Sequence, residues 1–249
     1  MKRLQNKTAL ITGGNSGIGF ATAQDFIAEG ATVIITGRTQ ASVDAAVKEL
    51  GPQAKGIVLD VSDMNQIKAL RDKLKALTPI VNTIFINAGI AKFSSIDQAT
   101  EEHFDEQFNV NVKGAYFSIQ QVLLLMPEGS TIVLNTSINA HIGMPNASVY
   151  SATKAAFLTL VRTLSAELLP RKIRVNAVSP GPVGTPLYNK LGVPQEQLAQ
   201  LAEHIGNQVP IGRFGRPEEI AKIVTFFASD DSSFVVGAEL IADGGMSTL

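Results

Sequence analysis

Cysteine is absent from this 249-residue chain. Its absence excludes disulfides, thiol nucleophiles and zinc–thiolate sites. Histidine is scarce: His103, His141 and His204 are the only three, scattered without the spacing of a metal-binding motif. An excess of charge of one sign is also lacking. Lys and Arg number 21 against 22 Asp and Glu, a net charge of −1, which removes the electrostatic basis for binding nucleic acid or an anionic membrane. No apolar run approaches the roughly 20 residues needed to span a bilayer, and the longest, from Val122 to Met126, stops at Pro127. The first seven residues carry basic side chains but no apolar h-region of a signal peptide, and the first strand starts at once. No signal peptide is expected, and the cytoplasm is the expected compartment.

What the chain has instead is a regular alternation of short β-branched runs with helical periods. Thr8–Ile11 reads as a buried strand, Phe20–Glu29 as a helix stopped by Gly30, and Ala31–Thr36 as a second strand. Further strands are expected at Ala54–Asp60, Val81–Ile86, Thr131–Leu134, Ile173–Val178 and Ala238–Ala242. Helices are expected at Asp63–Leu77, capped by Ser62 or Asp63, at Glu101–Met126 and at Val149–Leu169. No linker, repeat or low-complexity tract divides residues 1–249. The pattern predicts a single α/β domain, a doubly wound parallel sheet of seven strands with helices on both faces. The stretch of about 186–214, broken by Pro and Gly, fits that pattern least and is expected to form a flap over the substrate.

Between the first strand and helix lies Thr12-Gly13-Gly14-Asn15-Ser16-Gly17-Ile18-Gly19. A Gly-rich turn leading into a helix lets the backbone approach a pyrophosphate, while the helix N-terminus supplies free N–H groups and partial positive charge. The second strand ends in Thr36-Gly37-Arg38-Thr39 with no carboxylate. A carboxylate there would bind a ribose 2′-hydroxyl and repel a 2′-phosphate, whereas the planar Arg38 fork suits the phosphate. NADP(H) is therefore expected over NAD(H), with Asn15 and Thr39 adding hydrogen bonds. Tyr150-Ser-Ala-Thr-Lys154 puts a phenol and an ammonium one helical turn apart. An ammonium beside a phenol is expected to lower the phenol's high pKa toward working pH, giving an acid–base group for an alcohol or ketone.

These motifs, in order, resemble the short-chain dehydrogenase/reductase family from Lys7 to about Gly245. Thr12-Gly-x-x-x-Gly17-x-Gly19 has the family's spacing, with Gly13, Gly17 and Gly19 at its glycine positions. Ile86-Asn87-Ala88-Gly89 resembles the Asn-Asn-Ala-Gly turn, with Ile replacing its first Asn. Asn111 matches the family's helix Asn, Ser137 precedes Tyr150 by thirteen positions, and Pro180-Gly181-Pro182-Val183-Gly184-Thr185 matches the Pro-Gly turn. The resemblance implies a Rossmann-type fold and a nicotinamide cofactor held by Gly13, Asn15, Ser16, Gly17, Ile18, Gly19, Arg38, Thr39, Asp60, Val61, Asn87, Ala88, Gly89, Tyr150, Lys154, Pro180, Gly181, Val183 and Thr185. Asp60 would meet the adenine amino group, and Thr185 with the Val183 backbone the carboxamide.

It also implies roles in the reaction. Tyr150 would exchange a proton with the substrate oxygen, Ser137 would hydrogen-bond that oxygen, Lys154 would tune Tyr150 and hold the ribose, and Asn111 would order a relay water. No Gly-x-Ser-x-Gly elbow surrounds Ser137, which argues against a serine nucleophile. The substrate pocket is expected from Ile90, Ala91, Phe93, Ile138, Asn139, His141, Met144, Leu187 and Tyr188. These are mostly apolar and contain no fixed cation, favouring a neutral, fairly hydrophobic ketone or secondary alcohol. A 3-oxoacyl-carrier-protein reductase, a sugar dehydrogenase and a non-catalytic cofactor sensor are the alternatives. Family likeness further implies a homotetramer through the helices around Asn111 and Tyr150, and no metal.

Overall fold

A computed structural model describes residues 2–186 and 205–249. The expected Leu187 and Tyr188 contacts, His204 and much of the 186–214 stretch lie outside the described residues. The strands are β1 (Thr8–Ile11), β2 (Thr32–Gly37), β3 (Ala54–Val58), β4 (Thr83–Ile86), β5 (Thr131–Asn135), β6 (Arg174–Pro180) and β7 (Glu239–Ala242). They form one parallel sheet in the order β3-β2-β1-β4-β5-β6-β7. The helices are α1 (Gly17–Ala28), α2 (Gln40–Leu50), α3 (Met64–Lys75), α4 (Glu101–Phe108), α5 (Ala115–Val122), α6 (Ser148–Leu168) and α7 (Pro217–Ala228).

Successive residues of a strand face opposite sides of the sheet, and this sequence uses both sides for apolar packing. Leu10, Ile34, Ile84, Ile132 and Val175 face a core closed by Ile67, Leu70 and Leu74 of α3, Ile119 of α5, and Phe157 and Val161 of α6. Ala9, Ile11, Val33, Ile35, Phe85 and Val133 face a second core closed by Phe26 of α1, Ala46 of α2, and Ile220, Val224 and Phe227 of α7. A strand buried on both faces has no polar alternation, which is why these runs read as continuously apolar. The strand order reverses between β1 and β4. Their C-terminal ends therefore splay apart into the crevice where ligands of open α/β sheets bind.

Helix starts follow local chemistry. Asp63 caps α3, its Oδ1 accepting from Asn65 N at 2.8 Å, and Thr100 caps α4 through His103 N at 3.1 Å. Two expectations need correction. Helix α2 was not anticipated; Thr39 caps it. The helix expected over Glu101–Met126 is not continuous. It passes through a π-helical turn at Asn109–Gly114 and ends in a 3-10 turn at Leu123–Leu125. A Cβ on Gly114 would lie 2.1 Å from the Val61 carbonyl oxygen, so only glycine lets this helix press so closely on the loop after β3. A π turn inserts one extra residue into a helix, and here that turn carries Asn111.

Candidate active site

The cofactor half of the crevice is built on glycines. Gly13 and Gly17 have φ of 63° and 54°, left-handed values that glycine adopts at little cost. A Cβ on Gly19 would lie 2.4 Å from Gly13 O. Ser16 precedes α1 in an extended conformation, makes no side-chain cap, and the first turn has no acidic residue. This helix N-terminus therefore keeps donors and positive potential for an anion. Thr12, absent from the expected site, joins the turn to the next loop: its Oγ1 accepts from Asn87 N at 2.9 Å and Ala88 N at 3.1 Å. Asn87 returns the contact, its Nδ2 donating to Thr12 O and Gly13 O at 3.1 and 3.2 Å. The Asn87 side chain thus shapes the turn.

At the end of β2, Arg38 is exposed, and no hydrogen bond or ion pair joins its side chain to any described residue. Asn15 packs over Gly37 beside it, where a Cβ would come 2.9 Å from the amide carbon. The Thr39 hydroxyl is occupied in capping α2, donating to Ser42 Oγ at 2.8 Å. Asp60 Oδ1 accepts from Ser62 N and Oγ at 2.9 and 2.7 Å, and Val61 is buried. On the far side of the crevice Thr185 lies against Gly17, within 3.3 Å of where a Cβ would stand. Val183 bridges to Gly215, with Gly215 N donating to Pro182 O and Gly184 N to Gly215 O, both at 2.9 Å. In such a parallel bridge the N–H and C=O of Val183 itself point the opposite way, available to a carboxamide. Gly181, one residue past β6, has no room for a side chain because Asp243 Cβ would be 2.6 Å away. An open helix N-terminus, a glycine cradle without carboxylates and a guanidinium unpaired among the described residues fit a dinucleotide carrying phosphate.

The catalytic half lies at the ends of β5 and α6. Ser137 is 7% exposed and opens a 3-10 turn over Ile138–Ala140. Its Oγ accepts from Asn139 N and donates to Asn139 Oδ1, each at 3.2 Å. Tyr150 and Lys154 share one face of α6, with Lys154 Nζ 5.7 Å from the phenol ring centroid. Lys154 is 7% exposed and donates to Asn135 O at 2.8 Å.

The expected lowering of the Tyr150 pKa is not seen. Burial pushes the phenol up to about 12, partly opposed by the Ser137 hydroxyl. Burial also pushes Lys154 down to about 8. Desolvation penalises the charged form of each group, and the ammonium sits toward the ring and Asn135, so it does not offset that penalty at the phenol.

Asn111, 3% exposed, is a bracket. Its Oδ1 accepts from Ile90 N at 2.8 Å, and its Nδ2 donates to Ile90 O at 2.9 Å and Thr153 Oγ1 at 3.1 Å. Thr153 in turn donates to Tyr150 O at 2.7 Å. Asn135, another residue the sequence reading missed, donates from Nδ2 to Asn87 Oδ1 at 2.9 Å. Its signal was a polar residue closing an apolar strand just before Ser137.

Around this centre Phe93 meets Tyr150 edge-on, with ring centroids 6.0 Å apart. Phe93 and Met144 are exposed, Ile90 half-buried and Ala91 buried. Ile138 departs from expectation: it is 3% exposed because its turn directs the side chain inward. Asn139 Nδ2 donates to Met144 Sδ at 3.3 Å. His141 pairs with Glu239 at 2.7 Å.

A doubly wound parallel sheet with a glycine cradle at its reversal point and a Ser–Tyr–Lys group beside it defines a dinucleotide-binding oxidoreductase. The family profile described as enoyl-(acyl carrier protein) reductase matches residues 13–247. The chain is 37% identical to a 3-oxoacyl-(acyl-carrier-protein) reductase of Thermotoga maritima, covering 98% of this chain and 99% of the relative. It is 34% identical to an NADP-dependent (R)-specific alcohol dehydrogenase of Lentilactobacillus kefiri, covering 98% and 97%. The solved structure of a levodione reductase superposes with a TM-score of 0.92 at 32% identity, covering 98% of this chain and 99% of that one. The chain belongs to the short-chain dehydrogenase/reductase family, whose members use a nicotinamide cofactor. Among the described residues, no helix is long and apolar enough to cross a membrane.

Proposed function

We propose that this protein is an NADP(H)-dependent reductase of a neutral, fairly hydrophobic ketone, with the matching secondary alcohol as product. The observation that carries this reading is the convergence of Ser137, Tyr150 and Lys154 beside a glycine cradle whose rim presents the unpaired Arg38. Gly13, Ser16, Gly17, Ile18 and Gly19 would hold the pyrophosphate, Arg38 the 2′-phosphate, Lys154 the nicotinamide ribose, and Val183 with Thr185 the carboxamide. Bound nicotinamide supplies the hydride.

The chain's own residues handle the proton and the charge. Tyr150, with its pKa at about 12, keeps its proton at neutral pH and can give it to a carbonyl oxygen as negative charge develops there. Ser137 would donate to the same oxygen, exchanging its hydrogen bond to Asn139 Oδ1 for one to the substrate. Asn111 holds the Ile90 backbone and, through Thr153, the first turn of α6 in place. Both Asn111 amide protons are committed, so its side chain acts here as scaffold.

The pocket chemistry supports an apolar substrate. Phe93 and Met144 present exposed apolar surface near Tyr150, and the adjacent cation Lys92 is paired with Glu106. The names of the Thermotoga and Lentilactobacillus relatives support carbonyl–alcohol chemistry, and the former keeps a 3-oxoacyl thioester as the second reading. Exposed Phe104, Tyr116 and Leu124 along the helices flanking Asn111 support a homotetramer, and the cytoplasm is the expected compartment. The deciding experiment measures NADPH and NADH oxidation against aryl, cyclic and oxoester ketones, a sugar lactone and a 3-oxoacyl thioester. NADPH-specific turnover of neutral ketones supports the reading. Turnover confined to the thioester or sugar reassigns the substrate, and cofactor binding with no turnover of any compound overturns the reductase.

A further inference from the structure

The turn that carries Ser137 is tied down from both sides by a single carboxylate. On one side Thr136, the residue before Ser137, is 2% exposed. Its one hydroxyl proton is shared between Val178 O, at 2.8 Å, and Ser179 Oγ, which it meets in a short hydrogen bond. Ser179, fully buried on β6, donates its own proton to Glu239 Oε1. On the other side His141, the residue closing the 3-10 turn, places Nε2 2.7 Å from that same Glu239 oxygen. Two donors four residues or fewer from Ser137 thus converge, directly or through Ser179, on one atom of the edge strand β7.

Nothing about a parallel edge strand requires this. The Glu239 side chain is only 15% exposed, and a largely buried carboxylate is costly unless its lone pairs are filled. Among the described residues its side-chain hydrogen-bond partners are the Ser179 hydroxyl and the His141 ring. The neighbouring β7 residues, Leu240, Ile241 and Ala242, are apolar. A carboxylate placed among them is explained by what it holds, and what it holds is the reacting turn.

We infer that Glu239 and His141 form a clamp that positions the Ser137 hydroxyl for the substrate oxygen. Neither touches the reacting atoms; both are positioning residues acting through Thr136, Ser179 and the 3-10 turn. This inference rests on the reductase reading for its kinetic consequences. The clamp makes orientation of Ser137 a property of the β5–β6–β7 edge, remote from the pyrophosphate turn after β1 and from Arg38 after β2. Loosening it should therefore affect the chemical step and leave those phosphate contacts in place.

The test uses the full-length protein with Glu239→Gln, His141→Gln and the double variant. Glutamine keeps the shape of Glu239 and one acceptor oxygen, so folding should survive. Expected results are a fall in kcat of about tenfold in each single variant, an unchanged KM for NADPH, and a larger primary isotope effect with deuterated NADPH. The double variant should be no worse than Glu239→Gln, because both changes open the same clamp. Unchanged kcat in both single variants, or losses that merely track the unfolded fraction in a thermal melt, would overturn the inference. Proton NMR of the three histidines separates this failure from that of the reductase reading. Glu239→Gln should move the ring signals that vanish in His141→Gln, whether or not any ketone turns over. Signals that stay in place mean the pair does not form.

Discussion

Lys154 anchors its ammonium on the backbone carbonyl of Asn135, 2.8 Å away, at the end of the strand that leads into Ser137. The same Asn135 reaches Asn87 with its side chain, and Asn87 reaches the Gly-rich turn. Catalytic helix and cofactor cradle are therefore joined by an unbroken run of hydrogen bonds. That anchoring places a nearly buried charge in the protein, and its energetic sign can be measured. Burial pushes Lys154 down to about 8 from an ordinary 10.5. Between those values the unfolded chain binds more protons than the folded one, so stability rises with pH.

The consequence is a test with Lys154→Met. Below pH 8 the wild type bears the full cost of the buried ammonium, on the order of 3 kcal/mol, and the variant does not. The stability of the variant relative to wild type should be greatest there. It should shrink as pH rises from 8 toward 10.5, with loss of the Asn135 hydrogen bond as a constant offset. Denaturant melts of both proteins across this range check it. A difference that does not vary with pH would mean that Lys154 is not desolvated.

Tyr150→Phe should retain NADPH binding and lose turnover by a factor of about 10² to 10⁴, the usual contribution of a general acid. Among the described residues Ser137 is the group that hydrogen-bonds the phenol, and removing one hydroxyl should leave the fold intact. Fluorescence titration with NADPH and steady-state kinetics make the comparison. Turnover within threefold of wild type would remove Tyr150 from the mechanism.

Arg38→Ala addresses the cofactor. A guanidinium with no partner among the described residues can pair with a 2′-phosphate, and a charge-assisted hydrogen bond of this kind contributes about 1.5–3 kcal/mol. The KM for NADPH should rise by about 10- to 100-fold while that for NADH barely changes. Equal losses for both cofactors would show that Arg38 does not read the phosphate.

The sequence was most legible where a residue's role depends on neighbours close in the chain. Gly13, Gly17 and Gly19 announce a turn because the turn is local, and Tyr150 with Lys154 announces a shared helix face for the same reason. The central strands β1, β2, β4 and β5 were recognisable because burial on both faces leaves nearly unbroken apolar runs, whereas β3, with Lys55 and Gly56 exposed, and the half-buried β7 stand out by their place in the strand–helix alternation. Thr12, Asn135, Thr153 and Glu239 were not legible as site residues. Each acts through a partner 48 or more residues away, or through a bracket made by another element. The π turn escaped because the contact that packs it closely, Gly114 against the Val61 carbonyl, is made with a different segment. The direction of the Tyr150 shift was misjudged because spacing reveals the nearby charge and conceals the desolvation that outweighs it.

Asn111 gives the sharpest separation between scaffold and chemistry. Its amide satisfies the backbone N–H and C=O of Ile90 and the hydroxyl of Thr153 in a nearly solvent-free site. Asn111→Ala strands those groups, and each unsatisfied buried group costs about 1–3 kcal/mol. The variant should melt several degrees lower, at about 2–4 °C per kcal/mol for a chain of this size. Activity should fall as well, because Ile90 borders the pocket and Thr153 steadies Tyr150. A variant that melts like wild type yet has lost turnover would show that the Asn111 amide serves the proton path. Its three hydrogen bonds would then be incidental to stability. A low melting point with near-normal turnover on cooling would show the reverse, that Asn111 holds the site together and takes no part in the reaction.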